Sequence, residues 1–260
     1  MAIVKSADRV ILILETVSVR DNGITHGELS RVSGIPKGSL SPLLSNLVDR
    51  DYLVFDASNK RYLLGPRLMA LSARYLSTYH LVRIARPIMQ ELVGEVNEDV
   101  ELTVMKDTEI LFLYGVDSSR PLRHVIAVGD RAAAYAIAAG KAILAYLPED
   151  ELSRYFSSVT LTPITRNTMT DPEVLRRQLH DVRSGGVAYG YGEYYEDINS
   201  IAAPIFNLYG HVAGSLVVPL LSTRLDPEEY RFIETRLRSA VARISRQLGF
   251  EPGTEENGRG

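Results

Sequence analysis

Between Ile24 and Leu64 the spacing of apolar and polar residues shifts from a helical period, through a break, to a second helical run and then to two short strands. Thr25-His26-Gly27-Glu28 has the form of a capping box. The Thr25 hydroxyl can accept from the N–H of Glu28, whose carboxylate reaches back to the N–H of Thr25, with Ile24 and Leu29 as the hydrophobic staple. This helix should end at Gly34, because glycine adopts positive φ without strain. After the turn, Pro36 suits the start of a second helix. Leu40, Leu43, Leu44, Leu47 and Val48 form one buried stripe on it, and Ser41, Ser45, Asn46 and Asp49 lie on the opposite face. Tyr52–Phe55 and Arg61–Leu64, around the polar turn Asp56–Lys60, predict a β-hairpin closed by Gly65-Pro66. Two helices and a hairpin in this order are the layout of a winged helix-turn-helix.

Leu68, Leu71, Leu76 and Leu81, with Ala70 and Ala73, predict a connecting helix. A further helix is expected from Leu81 to about Val96, broken or started by Pro87. Strands are expected at Val100–Met105, Ile110–Val116, Arg123–Val128, Val187–Tyr191, Ser200–Phe206 and Val212–Leu220. Helices are expected at Ala132–Leu147, at Asp171–Ser184 with Asp171 as cap and Gly185-Gly186 as stop, and at Pro227–Leu248 capped by Asp226. The stripe of the last helix is Ile233, Leu237, Val241, Ile244 and Leu248. This strand spacing fits one antiparallel sheet with helices against it, an α+β fold, and not a series of parallel βαβ units. The tail 251–260 has no apolar anchor beyond Pro252 and is expected to be disordered.

Charge divides the chain. Residues 1–86 hold 12 Lys and Arg against 7 Asp and Glu, a balance of +5, and residues 87–260 hold 17 against 25, a balance of −8, which together make the net −3. From Ser58 to Glu91 no carboxylate interrupts Lys60, Arg61, Arg67, Arg74, Arg83 and Arg86. Excess positive charge therefore sits on and after the hairpin, where phosphates would be attracted. The chain lacks cysteine, which excludes disulfides and thiolate chemistry. It also lacks an apolar run of the roughly 20 residues a membrane helix needs and an N-terminal signal-peptide pattern, since Asp8, Arg9 and Glu15 interrupt it. A cytoplasmic protein without membrane contact is expected.

Catalytic signatures fail. Ala139-Gly140-Lys141-Ala142 lacks the first glycine of a phosphate loop, with Tyr135 in its place, and lacks the hydroxyl residue after the lysine. The five histidines, His26, His80, His124, His180 and His211, have no metal-ligand spacing, and no Gly-x-Ser-x-Gly elbow occurs. Glu193, Glu196 and Asp197 are close in sequence but fit a solvated loop better than an acid/base pair. No catalytic residue, metal or cofactor is expected.

Several separate segments resemble the IclR family of transcriptional regulators over nearly the whole chain. They are Lys5-Ser6-Ala7-Asp8-Arg9-Val10 with Ile13-Leu14, Gly34-Ile35-Pro36-Lys37, Arg61-Tyr62-Leu63-Leu64-Gly65, Ile84-Ala85-Arg86-Pro87, Val128-Gly129, Ala139-Gly140-Lys141-Ala142 and Ile201-Ala202-Ala203-Pro204-Ile205-Phe206. The resemblance implies a winged helix-turn-helix in residues 1–65, a linker helix in 66–80, a GAF-like or profilin-like effector-binding domain in 81–250 and the tail. It also implies a homodimer or tetramer on a palindromic operator of double-stranded DNA, a partner that groove geometry favours because paired recognition helices lie about one turn, roughly 34 Å, apart. Effector binding would shift the equilibrium between DNA-competent and incompetent arrangements, with repression the default.

The departures from the family matter too. Where relatives carry a polar or basic run such as Thr-Val-His-Arg, this chain has Ser39-Leu40-Ser41-Pro42. Pro42 either kinks a helix that starts at Pro36 or, at lower cost, lies in the first turn of one capped by Ser39. DNA contact then rests on Lys37, Ser39, Ser41, Ser45, Lys60 and Arg61. By the same comparison the effector pocket is lined by Ala138, Ala139, Tyr189, Ile198, Ser200, Leu216 and Val218. With Gly190, Leu216 and Val218 where relatives that bind oxo-acids are polar, it is expected to be drier. Tyr189, Tyr191, Tyr194 and Tyr195 nearby suit an effector with an aromatic or other sizeable apolar part, or else belong to the core or a subunit interface. A sensing module that acts through protein contacts without specific DNA binding is the alternative, and a small-molecule enzyme is the weaker one.

Overall fold

The computed structural model describes residues 4–78, 80–121, 127–223 and 226–251. The chain divides into two units, residues 1–78 and 79–260.

The first unit opens with α1, Lys5–Ser18, to which the sequence pattern assigned no element. It buries Ile13 and Val17. β1, Ile24–Thr25, leads into α2, His26–Ser33, then α3, Lys37–Asp49, the strands β2, Leu53–Asp56, and β3, Arg61–Leu64, and α4, Pro66–Thr78. The capping box forms as expected, with Glu28 N–H donating to Thr25 Oγ1 at 3.3 Å and Thr25 N–H to Glu28 Oε2 at 2.9 Å. Gly34 closes α2 at φ 69°. β3 pairs with β2 in the expected hairpin, Leu53 opposite Leu64 and Asp56 opposite Arg61, and also with β1, so the wing supplies the central and one edge strand of a three-stranded sheet. Ile13, Val17, Leu29, Leu40, Leu44, Leu47 and Leu53 close a single core. Thr25→Ala should cost about 1 kcal/mol, read as a lower urea midpoint at unchanged slope. An unchanged midpoint would mean that the box adds nothing.

Pro42 does not lie in a first turn capped by Ser39. The helix runs unbroken from Lys37, Pro36 is its cap residue, and Pro42 is inside it. Leu40 N–H bonds Pro36 O at 3.0 Å, and the Ser41 hydroxyl donates to Lys37 O at 3.0 Å. The only acceptor that Pro42 leaves without its helical donor is the carbonyl of Gly38, an exposed residue that water reaches. Pro87 behaves in the same way. It neither breaks nor starts its helix but lies within α5, His80–Val96, and the carbonyl it cannot serve belongs to the exposed Arg83.

The second unit continues with β4, Val100–Lys106, β5, Glu109–Val116, β6, Arg131–Ala133, a 3-10 turn at Ala134–Ala136, α6, Ala138–Leu144, α7, Glu149–Ser158, and α8, Pro172–Gly185. β7, Ala188–Tyr191, β8, Ile198–Phe206, β9, Val212–Leu221, and α9, Pro227–Gln247, complete it. The six strands form one antiparallel sheet in the order β6-β5-β4-β9-β8-β7, which bears out the α+β expectation. α5 and α9 cover one face, α6 lies on the other, and α8 packs on α6. The expected caps form, Asp171 accepting from Glu173 and Val174 N–H and Asp226 from Glu228 N–H. The helix expected over Ala132–Leu147 is shorter, because its first residues form β6 and the 3-10 turn, and α7 had no expectation. Of the strand expected at Arg123–Val128, residues 123–126 lie outside the described residues, as do 252–260 of the tail, while Val128 is in a turn. No helix among the described residues is long and apolar enough to cross a membrane.

Candidate functional site

The exposed side of α3 presents Lys37, Ser41 and Ser45, and Ser39 is half-buried beside them. His26 Nε2 and Ser41 Oγ are 3.0 Å apart, which ties the start of α2 to α3. The wing turn is ordered by its own polar groups. Asp56 accepts from the Ser58 hydroxyl at 2.6 Å and N–H at 2.9 Å, which holds its carboxyl below the usual range, and Asn59 accepts from Arg61 N–H at 3.1 Å. Lys60 is exposed at the tip with φ 59°. Arg61 is committed within the unit: it donates to Gly23 O at 2.8 Å and lies 3.6 Å from Glu28 Oε2, bracing β3 against the turn before β1. Arg20 and Arg31, which the sequence pattern did not single out, join it around a concavity of about 280 Å³ that also holds Glu28.

In the second unit a partly enclosed cavity lies between α6 and the sheet. β4, β5 and β9 supply Glu101, Phe112, Val217 and Pro219, β7 and β8 supply Gly190, Ile198 and Ser200, the approach to α6 supplies Ala136 and Ile137, and α6 itself supplies Ala139. Glu193, Tyr194 and Tyr195 from the β7–β8 loop close it. Small residues let α6 come this close. A Cβ on Gly140 would overlap the Ala134 carbonyl, and one on Gly190 would sit 2.8 Å from Ser200 Oγ. Ser215 Oγ donates to Ala139 O at 3.1 Å and is 2.7 Å from Thr103 Oγ1, pinning the helix to β4 and β9. The space open to water centres is about 40 Å³, room for roughly three waters.

The cavity wall is more polar than the sequence pattern implies. Glu193 is not in a solvated loop. Both its carboxylate oxygens accept from Lys141 Nζ, at 2.6 and 2.7 Å, and the two residues are 2% and 8% exposed. Thr168 Oγ1 donates to Glu193 O at 2.7 Å and Thr165 Oγ1 to Gly192 O at 2.7 Å, which clamps the loop that carries it. Glu101 is also buried, and burial first, then the charges of Asp99 and Asp117, raises its pKa to about 8. Two buried carboxyls, Glu101 and Glu193, thus stand in a wall that is otherwise mostly apolar.

Of the residues assigned to the pocket from sequence, Ala139, Ile198 and Ser200 line the cavity. Ala138 stands just behind, its Cβ 3.6 Å from where a Gly190 Cβ would be. Tyr189, Leu216 and Val218 do not line it. Strand alternation places them on the face toward α5 and α9, where the Tyr189 hydroxyl donates to Glu234 Oε2 at 2.6 Å. Val217 and Pro219 take the expected positions instead. No periodic signal could choose between the faces, because residues 214–220 are buried throughout. The carboxylates also had no local signal.

A winged helix-turn-helix followed by a cavity-bearing α+β unit defines a DNA-binding transcriptional regulator that carries its own effector-binding domain. The chain belongs to the IclR family of these proteins. Residues 6–57 match the IclR helix-turn-helix domain and residues 73–246 the bacterial transcriptional regulator IclR C-terminal domain. The chain is 29% identical to the regulator KipR of Bacillus subtilis over 87% of this chain and 90% of that one, and 29% identical to KdgR of Escherichia coli over 95% and 94%. Among solved structures it resembles an IclR homologue from Microbacterium hydrocarbonoxydans complexed with 4-hydroxybenzoate, with 25% identity, TM-score 0.81 and coverage of 94% of this chain and 98% of that one. These proteins are regulators, not enzymes.

Proposed function

We propose that the chain is a repressor that binds a palindromic operator as a homodimer or tetramer and is released by a small effector held between α6 and the sheet. The cavity carries this reading: it is bounded by named side chains on three sides and closed by a short loop. Lys37, Ser39, Ser41 and Ser45 on α3 and Lys60 on the wing are the DNA contacts, and Arg20, Arg31 and Arg61 supply positive charge alongside. Short hydroxyls favour phosphate and close backbone approach over strong base readout, so affinity should depend steeply on salt. Exposed Ile11 and Leu12 on α1 and Met69 and Leu71 on α4 support self-association through the first unit.

The effector is taken to have an aromatic or comparable apolar body, since Phe112, Ile137, Val217, Pro219, Tyr194 and Tyr195 form most of the wall. A ring is larger than the present opening, so binding requires the Tyr194–Tyr195 segment to shift. The ligand then biases DNA binding only by its unequal affinity for the two arrangements. Gel shifts with the upstream promoter of its own gene test the reading. Lys37→Ala and Lys60→Ala should each flatten the salt slope by about 0.9 for one lost phosphate contact. A shift without salt or sequence dependence would favour action through protein contacts.

A further inference from the structure

We infer that the cavity selects an effector bearing a protonated nitrogen, and that Glu101 is the residue that selects it. This rests on the reading of the cavity as the effector site and narrows it to one ligand class.

The cavity wall holds a carboxyl that no described residue satisfies. Glu101 is 7% exposed and forms part of the wall. Among the described residues no group donates a hydrogen bond to it. Among the described residues the charged groups around it are Asp99 before its own strand, Asp117 past the end of β5, and across the cavity the Lys141–Glu193 pair. Tyr194 and Tyr195 are the other titratable groups of the wall. Asp99 and Asp117 both favour the neutral form of Glu101 while the cavity is empty.

The cavity offers an acid little in return. No Lys or Arg lines it among the described residues, and the ammonium of Lys141 already serves both oxygens of Glu193 at 2.6 and 2.7 Å. A carboxylate ligand could accept at most the single O–H of protonated Glu101, and would find no cation unless it broke that buried pair. An ammonium or amidinium does the opposite. It gives the buried carboxylate its missing donors in a charge-assisted bond, and the faces of Tyr194 and Tyr195, which pack edge-on at 4.9 Å, can stabilise the same charge. The apolar body rests on Phe112 and Val217.

Binding then carries a proton signature. With its pKa near 8, Glu101 is mostly protonated at pH 7 in the empty cavity. Pairing with an ammonium converts the carboxylic acid to carboxylate and releases close to one proton to solvent.

Calorimetry on the full chain tests this with 2-phenylethylammonium, 2-phenylethanol and phenylacetate, which share a ring and differ in charge. The ammonium should bind at least tenfold tighter than the other two, with buffer-dependent heats that report proton release at pH 7. Glu101→Gln, nearly isosteric but unable to ionise, should lose tenfold or more for the ammonium alone. Ile137→Trp, which fills the cavity from its half-buried side, should abolish binding. If it melts out, Ser200→Leu on the same wall takes its place. Tighter binding of phenylacetate, or ammonium binding unchanged in Glu101→Gln, overturns the selectivity and leaves the cavity reading intact if the filled variant still blocks binding. Failure of every probe, or binding indifferent to the filled variant, overturns the cavity reading and this inference with it.

Discussion

Lys141→Met should destabilise the second unit by roughly 3–5 kcal/mol, because it leaves the Glu193 carboxylate buried without its cation. Lys141 is among the largest fully buried side chains, and its ammonium spans the gap from α6 to the β7–β8 loop. The pair as a whole adds far less than this loss implies, since both charges were removed from water to make it. The double variant Lys141→Met/Glu193→Gln should therefore recover most of the loss. Hydrogen exchange of α6 and β8 amides in the full chain isolates this unit, which a single unfolding midpoint for a two-unit protein does not. A loss below about 1 kcal/mol in the single variant would show that Glu193 finds water or another donor, against the value for a truly buried pair. The functional side effect is equally specific. With the loop released, Tyr194 and Tyr195 lose their fixed place at the cavity mouth.

Glu101→Gln should stabilise the protein, and increasingly so as pH rises. The folded pKa of about 8 lies above the ordinary 4.5. Below 4.5 the carboxyl is protonated in both folded and unfolded chains, so it adds no pH dependence. Between those values the unfolded chain gives up the proton and the folded one keeps it, and stability falls with each unit of pH. Above about 8 the loss is complete, on the order of 5 kcal/mol in total. Glutamine does not titrate, so the gap between variant and wild type should be small at pH 5 and largest at pH 9, measured by exchange of β4 and β5 amides. Parallel pH profiles would mean that Glu101 is solvated or paired in solution. A site that sacrifices stability for an unpaired carboxyl is what a binding residue requires, because the ligand relieves the same penalty.

Local chemistry made the DNA-binding unit readable. The Thr25–Glu28 box, the positive φ at Gly34, the α3 stripe and the hairpin register each depend on residues a few positions apart. Arg61, expected on the DNA, also donates to Gly23 O and lies beside Glu28, contacts no local pattern announced. Pro42 was expected in a first turn and stands inside α3. Proline reports only its missing donor. Where the deprived carbonyl faces solvent, as at Gly38 and Arg83, a helix can run through it.

The sequence by itself determined most of the elements, with α1, β6 and α7 among the exceptions, the family and the one-sided faces of the helices, since periods of two and 3.6 residues are written into neighbouring side chains. It placed Ala139, Ile198 and Ser200 at the cavity. Only the tertiary structure decided which face of β9 the cavity uses, because a strand buried on both sides has no polar phase to read. It also decided that Glu193 meets Lys141, 52 residues away, and that Glu101 lines the cavity with no hydrogen-bond donor among the described residues. Pairing of charges across a core depends on how the sheet and α6 pack, and that packing leaves no trace in the spacing of either residue.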